Sequence, residues 1–312
     1  MYKPDILGEN FEQLTIQMKP DREGEVVCTL VRAKNQMSFN RSVLYIHGFS
    51  DYFFQTEMAE QFTKNGYNFY ALDLRKCGRS IRAWQTPSNL YNISDYYEDI
   101  DAAIAKIRKI STNLLLLGHS TGGLTLALYV HNKPAETFEA LILNSPFFEM
   151  NTKKYVKKIA IPLTSFFGKF LPNFKIKKGI SPHYGHSISS KAKGEWDYNE
   201  NWKPIAVSTI NASWIRAIHK AQVKLRKGLN IKCPVLVMQS EKSFKSKQWS
   251  EEFRSADAVL NVEHIKKHSP CLGKNVTNIS IKNGLHDLML SAYSVRMDVY
   301  NVMFNWVNLI QK

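Results

Sequence analysis

The sequence has few cysteines, no Cys-x-x-Cys spacing and no long apolar run. Its four cysteines, Cys28, Cys77, Cys233 and Cys271, are scattered along 312 residues. That spacing argues against a disulfide framework or a cysteine-ligated metal site, and it makes reduced thiols and a cytoplasmic location the expectation. No apolar run is long enough to span a membrane. The N-terminus, Met1-Tyr2-Lys3-Pro4-Asp5, lacks a basic region followed by an apolar core, so no signal peptide is expected. Internal repeats and low-complexity tracts are missing too.

The composition is that of an ordinary globular chain, 44% hydrophobic and 22% charged, and the length suits one large core or a core with an inserted unit. The formal net charge is +15 and is unevenly placed. Residues 151–230 carry sixteen lysines and arginines against three acids.

Hydrophobic periodicity sets the expected architecture. Residues 11–18 and 24–31 alternate in period two across a Pro20-Asp21 turn, which predicts an antiparallel hairpin. Runs at 42–46, 67–74, 114–117, 140–146, 233–238 and 276–281 read as strands, those at 114–117 and 140–146 as buried ones. Helices are expected over 52–65, from a Ser94 cap to Ile110, over 124–130, and over 291–310. Strands alternating with helices imply crossovers, and therefore an α/β fold with a mostly parallel sheet covered on both faces. The alternation stops between Phe147 and about Asn230. The expected organisation is thus a core of residues 1–146 and 231–312 with residues 147–230 inserted.

The chemistry centres on Gly118-His119-Ser120-Thr121-Gly122, which lies between a run of four leucines and a helical pattern. A strand, tight turn and helix is the setting in which a Gly-x-Ser-x-Gly serine projects its hydroxyl above the sheet edge, so Ser120 is the candidate nucleophile. A serine hydroxyl needs a base, and that base an orienting acid. His286, in Asn283-Gly284-Leu285-His286-Asp287, follows the last expected strand and is the candidate base. The acid is less clear, because the loop after Met238 reads Gln239-Ser240-Glu241-Lys242-Ser243-Phe244 and holds no aspartate. Glu241 is adjacent to the strand end, whereas Asp257 leaves room for one helix and one strand before His286. Asp257 is preferred and Glu241 stays open. Oxyanion donors are expected from the backbone N–H of Thr121, which follows the nucleophile, and of Phe49, in the His47-Gly48-Phe49 turn after the first parallel strand.

Taken in order, the His-Gly-Phe turn, Asp73-Leu74-Arg75-Lys76-Cys77-Gly78-Arg79-Ser80, the serine motif and Gly284-Leu285-His286-Asp287 resemble the monoacylglycerol lipase and lysophospholipase group of α/β-hydrolases. The resemblance implies an acid in a short Ala-Asp segment about thirty residues before the histidine, which Ala256-Asp257 matches. The stretch 242–255 departs from that pattern. The resemblance also implies that 147–230 forms a helical lid over an acyl pocket and that no metal or organic cofactor takes part. Cleavage of monoacylglycerol or lysophospholipid esters through an acyl-enzyme is the expected activity. An aminopeptidase-like hydrolase of the same fold is a rival, although the insertion is short of acids to hold a substrate ammonium. A non-enzymatic binding protein that keeps the fold is the other. Epoxide or haloalkane hydrolysis would need a carboxylate where Ser120 stands. Within 155–178, lysines interleave with apolar and aromatic residues, a pattern suited to peripheral contact with anionic lipid through the lid. No nucleic-acid-binding motif is present. Oligomeric state is not legible.

Overall fold

The computed structural model describes residues 1–34, 39–176, 181–207 and 209–311. Strands β1 (Lys3–Asp5), β2 (Gly8–Gln17) and β3 (Val27–Ala33) form an antiparallel meander. Strand β4 (Arg41–Ile46) and helix α1 (Thr56–Lys64) lead into β5 (Asn68–Asp73). Helix α2 (Asp95–Ile107), β6 (Asn113–His119), α3 (Thr121–Val130) and β7 (Ala140–Asn144) continue the alternation. Residues 147–230 then hold α4 (Ile161–Phe167), β8 (Lys175–Ile176), α5 (Pro182–Ile188), β9 (Ile210–Asn211) and α6 (Ala212–Arg226). Strand β10 (Val235–Ser240), α7 (Val262–His268), β11 (Val276–Ile281) and α8 (Tyr293–Ile310) complete the chain. The sheet has nine strands in the order β1-β2-β3-β5-β4-β6-β7-β10-β11, and its six members from β5 to β11 are parallel.

The unbroken apolar strands are explained by burial on two faces. In β6, Leu114 and Leu116 face one cluster, while Leu115 and Leu117 face the other, and all four are fully buried. Each such side chain removed from water contributes about 1.5–3 kcal/mol. Helices α2, α3 and α6 cover the first face through Ile100, Leu124 and Ile218, and α1 and α8 cover the second through Phe62 and Met303. Among the described residues no helix is long and apolar enough to cross a membrane.

Two helices differ in detail from expectation. The helix expected from Tyr52 begins at Thr56, because the preceding N–H groups bond to side chains: Phe53 N–H donates to Asp73 Oδ1 at 3.0 Å and Phe54 N–H to Gln55 Oε1 at 3.1 Å. Ser94 occupies the cap position of α2 but its side chain makes no capping bond, and the helix ends at Ile107, one turn before Ile110.

The start of segment 147–230 is tied to α7 by an ionic cluster. Glu149 pairs with Lys157 and accepts from His268 Nε2 at 2.6 Å, with His264 Nε2 at 3.5 Å. Burial alone would raise the Glu149 carboxyl, but Lys157, His268 and His264 outweigh it and bring it from its ordinary 4.5 down to about 2. A carboxylate depressed in the folded state stabilises above its unfolded value, and that contribution is lost as pH falls through the folded one. Wild-type protein is therefore expected to lose stability between about pH 4.5 and about pH 2, and Glu149→Gln to lose less over that window. Urea midpoints on both proteins at about pH 5 and about pH 3 measure the difference.

Candidate active site

Ser120 joins β6 to α3 with φ +52° and ψ −114°, a conformation that L-residues rarely adopt. Its N–H donates to the Asn144 carbonyl at 3.0 Å, and its own carbonyl accepts from Leu124 and Phe147. The turn is tight enough that a β-carbon on Gly118 would come within 2.9 Å of the Gly122 backbone. One on Gly122 would come within 2.4 Å of the carbonyl oxygens of Ile46 and His47. Both glycines are thus required by close backbone approach.

The three side chains expected to cooperate lie in one hydrogen-bonded row. His286 Nε2 is 3.1 Å from Ser120 Oγ, and His286 Nδ1 is 2.9 Å from Asp257 Oδ2. Asp257 is fully buried, and its other oxygen accepts from the N–H groups of Val259 and Leu260 at 2.8 and 2.7 Å. The helix that follows is capped by Asn261 instead. Glu241 is exposed and makes its backbone bond to Ile281, away from the imidazole. The departure at 242–255 is an excursion that closes on itself. Asp257 N–H donates to the Lys242 carbonyl at 3.0 Å, and Phe244 N–H donates to the Asp257 carbonyl at 2.9 Å. Asp257 is thereby returned beside the end of β10.

The turn after β4 lies against Ser120. A β-carbon on Gly48 would come within 3.3 Å of Ser120 Cβ. His47 accepts the Leu74 N–H at Nε2 (3.1 Å), so Nδ1 carries the proton and donates to the Gly48 carbonyl at 2.7 Å. Phe49 packs on Trp214 of α6, ring centroids 4.4 Å apart. Thr121 opens α3, where unpaired N–H groups and the helix dipole favour negative charge. Asp73 fastens the chain just beyond this turn, accepting from Phe53 N–H and from Arg79 N–H and Nη1.

Several contributors were not read from the sequence. Asn144 receives the Ser120 N–H on its backbone, while its side-chain amide donates to Asp287 Oδ1 at 2.7 Å and accepts the Leu288 N–H at 3.2 Å. One residue therefore fastens both the serine turn and the histidine loop. Its only signal was a polar residue ending an apolar strand, and that of Asp287 was its position beside His286. From segment 147–230, the Tyr184 ring meets the His286 imidazole edge to face at 5.5 Å. Lys203 Nζ lies 2.8 Å from Asp51 Oδ2. Neither has a recognisable local pattern.

Asp51, His119 and Asp287 are buried and offer ligand-type atoms within 4.8 Å of one another. The Lys203 ammonium already supplies the cation at Asp51, and Asp287 accepts from Asn144 and Gln55. Asp51 is thus charge-paired and Asp287 hydrogen-bonded by amides, so the set fits a metal ion poorly. His119 faces this cluster, with Nδ1 3.7 Å from Asp51, and does not bond to Ser120.

A family model described as serine aminopeptidase, S33 matches residues 38–289. Phospholipase YtpA of Bacillus subtilis (strain 168) is 26% identical over 201 residues, covering 64% of this chain and 74% of that protein. The monoacylglycerol lipase of Paleococcus ferrophilus aligns with a TM-score of 0.69 at 18% identity, over 90% of this chain and 99% of that one. A soluble variant of monoglyceride lipase from Saccharomyces cerevisiae, in complex with a substrate analogue, gives 0.68 at 17% identity, over 95% and 94%. Identities this low speak to the shared fold.

If Asp257 orients the imidazole, Asp257→Asn will lower kcat on a p-nitrophenyl ester by about 10³–10⁴-fold, while Glu241→Gln stays near wild type. The reverse pattern would move the acid to Glu241.

Proposed function

We propose that this chain, which belongs to the serine aminopeptidase S33 family of α/β-hydrolases and is a serine ester hydrolase, cleaves monoacylglycerol or lysophospholipid esters with Ser120 as nucleophile. The observation that carries the site assignment is the row Ser120–His286–Asp257, with spacings of 3.1 and 2.9 Å. Ser120 Oγ attacks the ester carbonyl while His286 Nε2 takes its proton, and Asp257 stabilises the imidazolium. The Phe49 and Thr121 N–H groups receive the oxyanion. The imidazolium then protonates the leaving alcohol, and water activated by His286 releases the acyl group.

The substrate class rests on kinship and on the walls of the site. The bacterial relative is a phospholipase, and the archaeal and yeast structures are monoglyceride lipases. Phe49, Trp214 and Phe147 form an aromatic wall beside the serine turn, with centroid spacings of 4.4 and 6.2 Å. Such a wall suits an acyl chain. An aminopeptidase reading follows from the family's description, but it needs acids to hold an ammonium. Of the three acids in 151–230, Glu195 is paired with Arg296 and Glu200 with Lys191. The ester reading is favoured.

Segment 147–230 acts in this reading as a lid, because Ser120 and His286 are both buried and Tyr184 of that segment packs on the His286 ring. Its outer face is suited to anionic lipid. Tyr155, Ile159, Leu163, Phe166, Phe167, Phe170, Leu171 and Phe174 are each more than half exposed. Lys153, Lys154, Lys158, Lys169 and Lys175 stand exposed among them, whereas Lys177 and Lys178 lie outside the described residues. Apolar insertion together with about 1 kcal/mol per lysine near an anionic surface favours peripheral binding.

A fluorophosphonate probe should label wild type and spare Ser120→Ala, and p-nitrophenyl octanoate should be turned over faster than the acetate. Absence of labelling would favour a binding protein, and cleavage of amino-acid p-nitroanilides in preference to esters would favour a peptidase. In a separate test, wild type should sediment with phosphatidylglycerol vesicles and Phe166→Glu/Phe170→Glu should remain in the supernatant. Equal sedimentation of the two would remove the lipid-contact reading.

A further inference from the structure

Lys203 differs from the other cations of segment 147–230. It is the one lysine or arginine that is buried among that segment's described residues, at 6% exposure, and its neighbours in the chain give no local reason for it. Burying an ammonium is unfavourable unless a charge meets it. The charge it meets is Asp51, fully enclosed, at 2.8 Å from Oδ2. Its ammonium also lies over the rings of Phe54 and Tyr184, with Nζ 5.7 and 5.9 Å from their centroids. Tyr184 in turn packs on His286.

Asp51 stands two residues after Phe49, at the far end of the turn proposed to supply an oxyanion donor. The backbone between them is not relaxed. Ser50 has φ +51°, a left-handed conformation that a non-glycine residue holds only when its surroundings impose it. The restraints are few. Ser50 N–H donates to Ser88 Oγ at 3.2 Å, and the Asp51 carboxylate accepts the Tyr52 N–H at 2.9 Å through Oδ1. Its other oxygen has Lys203, with His119 Nδ1 further off at 3.7 Å. Burial would raise the Asp51 carboxyl, but Lys203 chiefly, with His119, overrides this and holds it well below the usual carboxylate range. The carboxylate is thus kept charged by a group that the inserted segment lends.

We propose that Lys203 is a positioning residue for the oxyanion turn: its ammonium, docked on Asp51, holds the Phe49 N–H where negative charge develops, and so makes turnover depend on seating of the inserted segment. This rests on the ester-hydrolase site proposed above. A donor displaced by a fraction of an ångström forfeits much of its value, because oxyanion stabilisation depends on preorganised geometry. The effect should therefore fall on the transition state and leave ground-state binding largely alone.

The test uses full-length Lys203→Met, Lys203→Arg and Asp51→Asn/Lys203→Met, the last leaving neither member of the pair as a lone buried charge. Ester kinetics, fluorophosphonate labelling rate, thermal midpoint and hydrogen exchange of residues 48–52 are read on each. Lys203→Met is expected to lose about 10²-fold in kcat with KM within about twofold, and labelling should slow in parallel. Lys203→Arg should recover most of the loss. The double variant should fold with a near-wild-type midpoint, yet keep a low kcat and exchange faster over 48–52. A folded double variant with wild-type kcat and wild-type exchange would overturn the proposal, and it also decides the matter if Lys203→Met fails to fold. Should wild type neither label nor turn over esters, the ester-site reading fails by itself, while exchange at 48–52 still decides whether Lys203 holds the turn.

Discussion

The strained backbone at Ser120 is the constraint on which the rest depends. A residue at φ +52° costs about 1–3 kcal/mol relative to relaxed backbone, and it persists only where its surroundings over-determine it. Three features do so here. The Asn144 carbonyl takes the Ser120 N–H, the Ser120 carbonyl takes those of Leu124 and Phe147, and two glycines let the turn close on itself and on the end of β4. The buried leucines of β6 keep the strand from relaxing beneath it. Packing and hydrogen bonding in the core thereby hold a hydroxyl at the sheet edge in an orientation that an isolated peptide would not keep.

The same logic extends to the partners of Ser120. Asn144 serves two loops at once, because its main chain restrains the serine turn and its amide restrains Asp287 beside His286. The distance between hydroxyl and imidazole is therefore set through one rigid strand end. Asp257 is positioned by a backbone-paired excursion whose two ends meet at Lys242 and Phe244. Each side chain of the row is referred to the parallel sheet, which suits chemistry sensitive to small displacements.

Segment 147–230 divides its polar and apolar groups by depth. Among its described residues it buries toward the core Trp214, Ile218, Tyr184 and one ammonium, that of Lys203, while outward it shows aromatics and lysines together. Exposing that many large apolar side chains in one stretch is unusual for a surface meeting only water. Charge of one sign is thus placed in two ways within a single stretch of chain. Dispersed among aromatics it is solvated; at Asp51 it is buried and paired, beside the turn that carries Phe49.

The sequence alone carried the succession of strands and helices along the chain, the serine turn and His286 as candidate base. Those are written in local patterns: apolar runs, glycines that close backbone approach requires, and a histidine just past a strand. It also gave the hairpin at the start and the excess of lysine in 151–230. Asp257 over Glu241 was half legible, because the spacing pointed to it but a loop of fourteen residues intervened, and only backbone pairing across that loop brings the carboxylate back to the imidazole. Asn144, Asp287 and the Lys203–Asp51 pair belong wholly to the tertiary structure. Asn144 and Asp287 lie 143 residues apart along the chain and Asp51 and Lys203 lie 152 apart, and no local periodicity encodes a contact that exists only once the sheet has brought the two segments together.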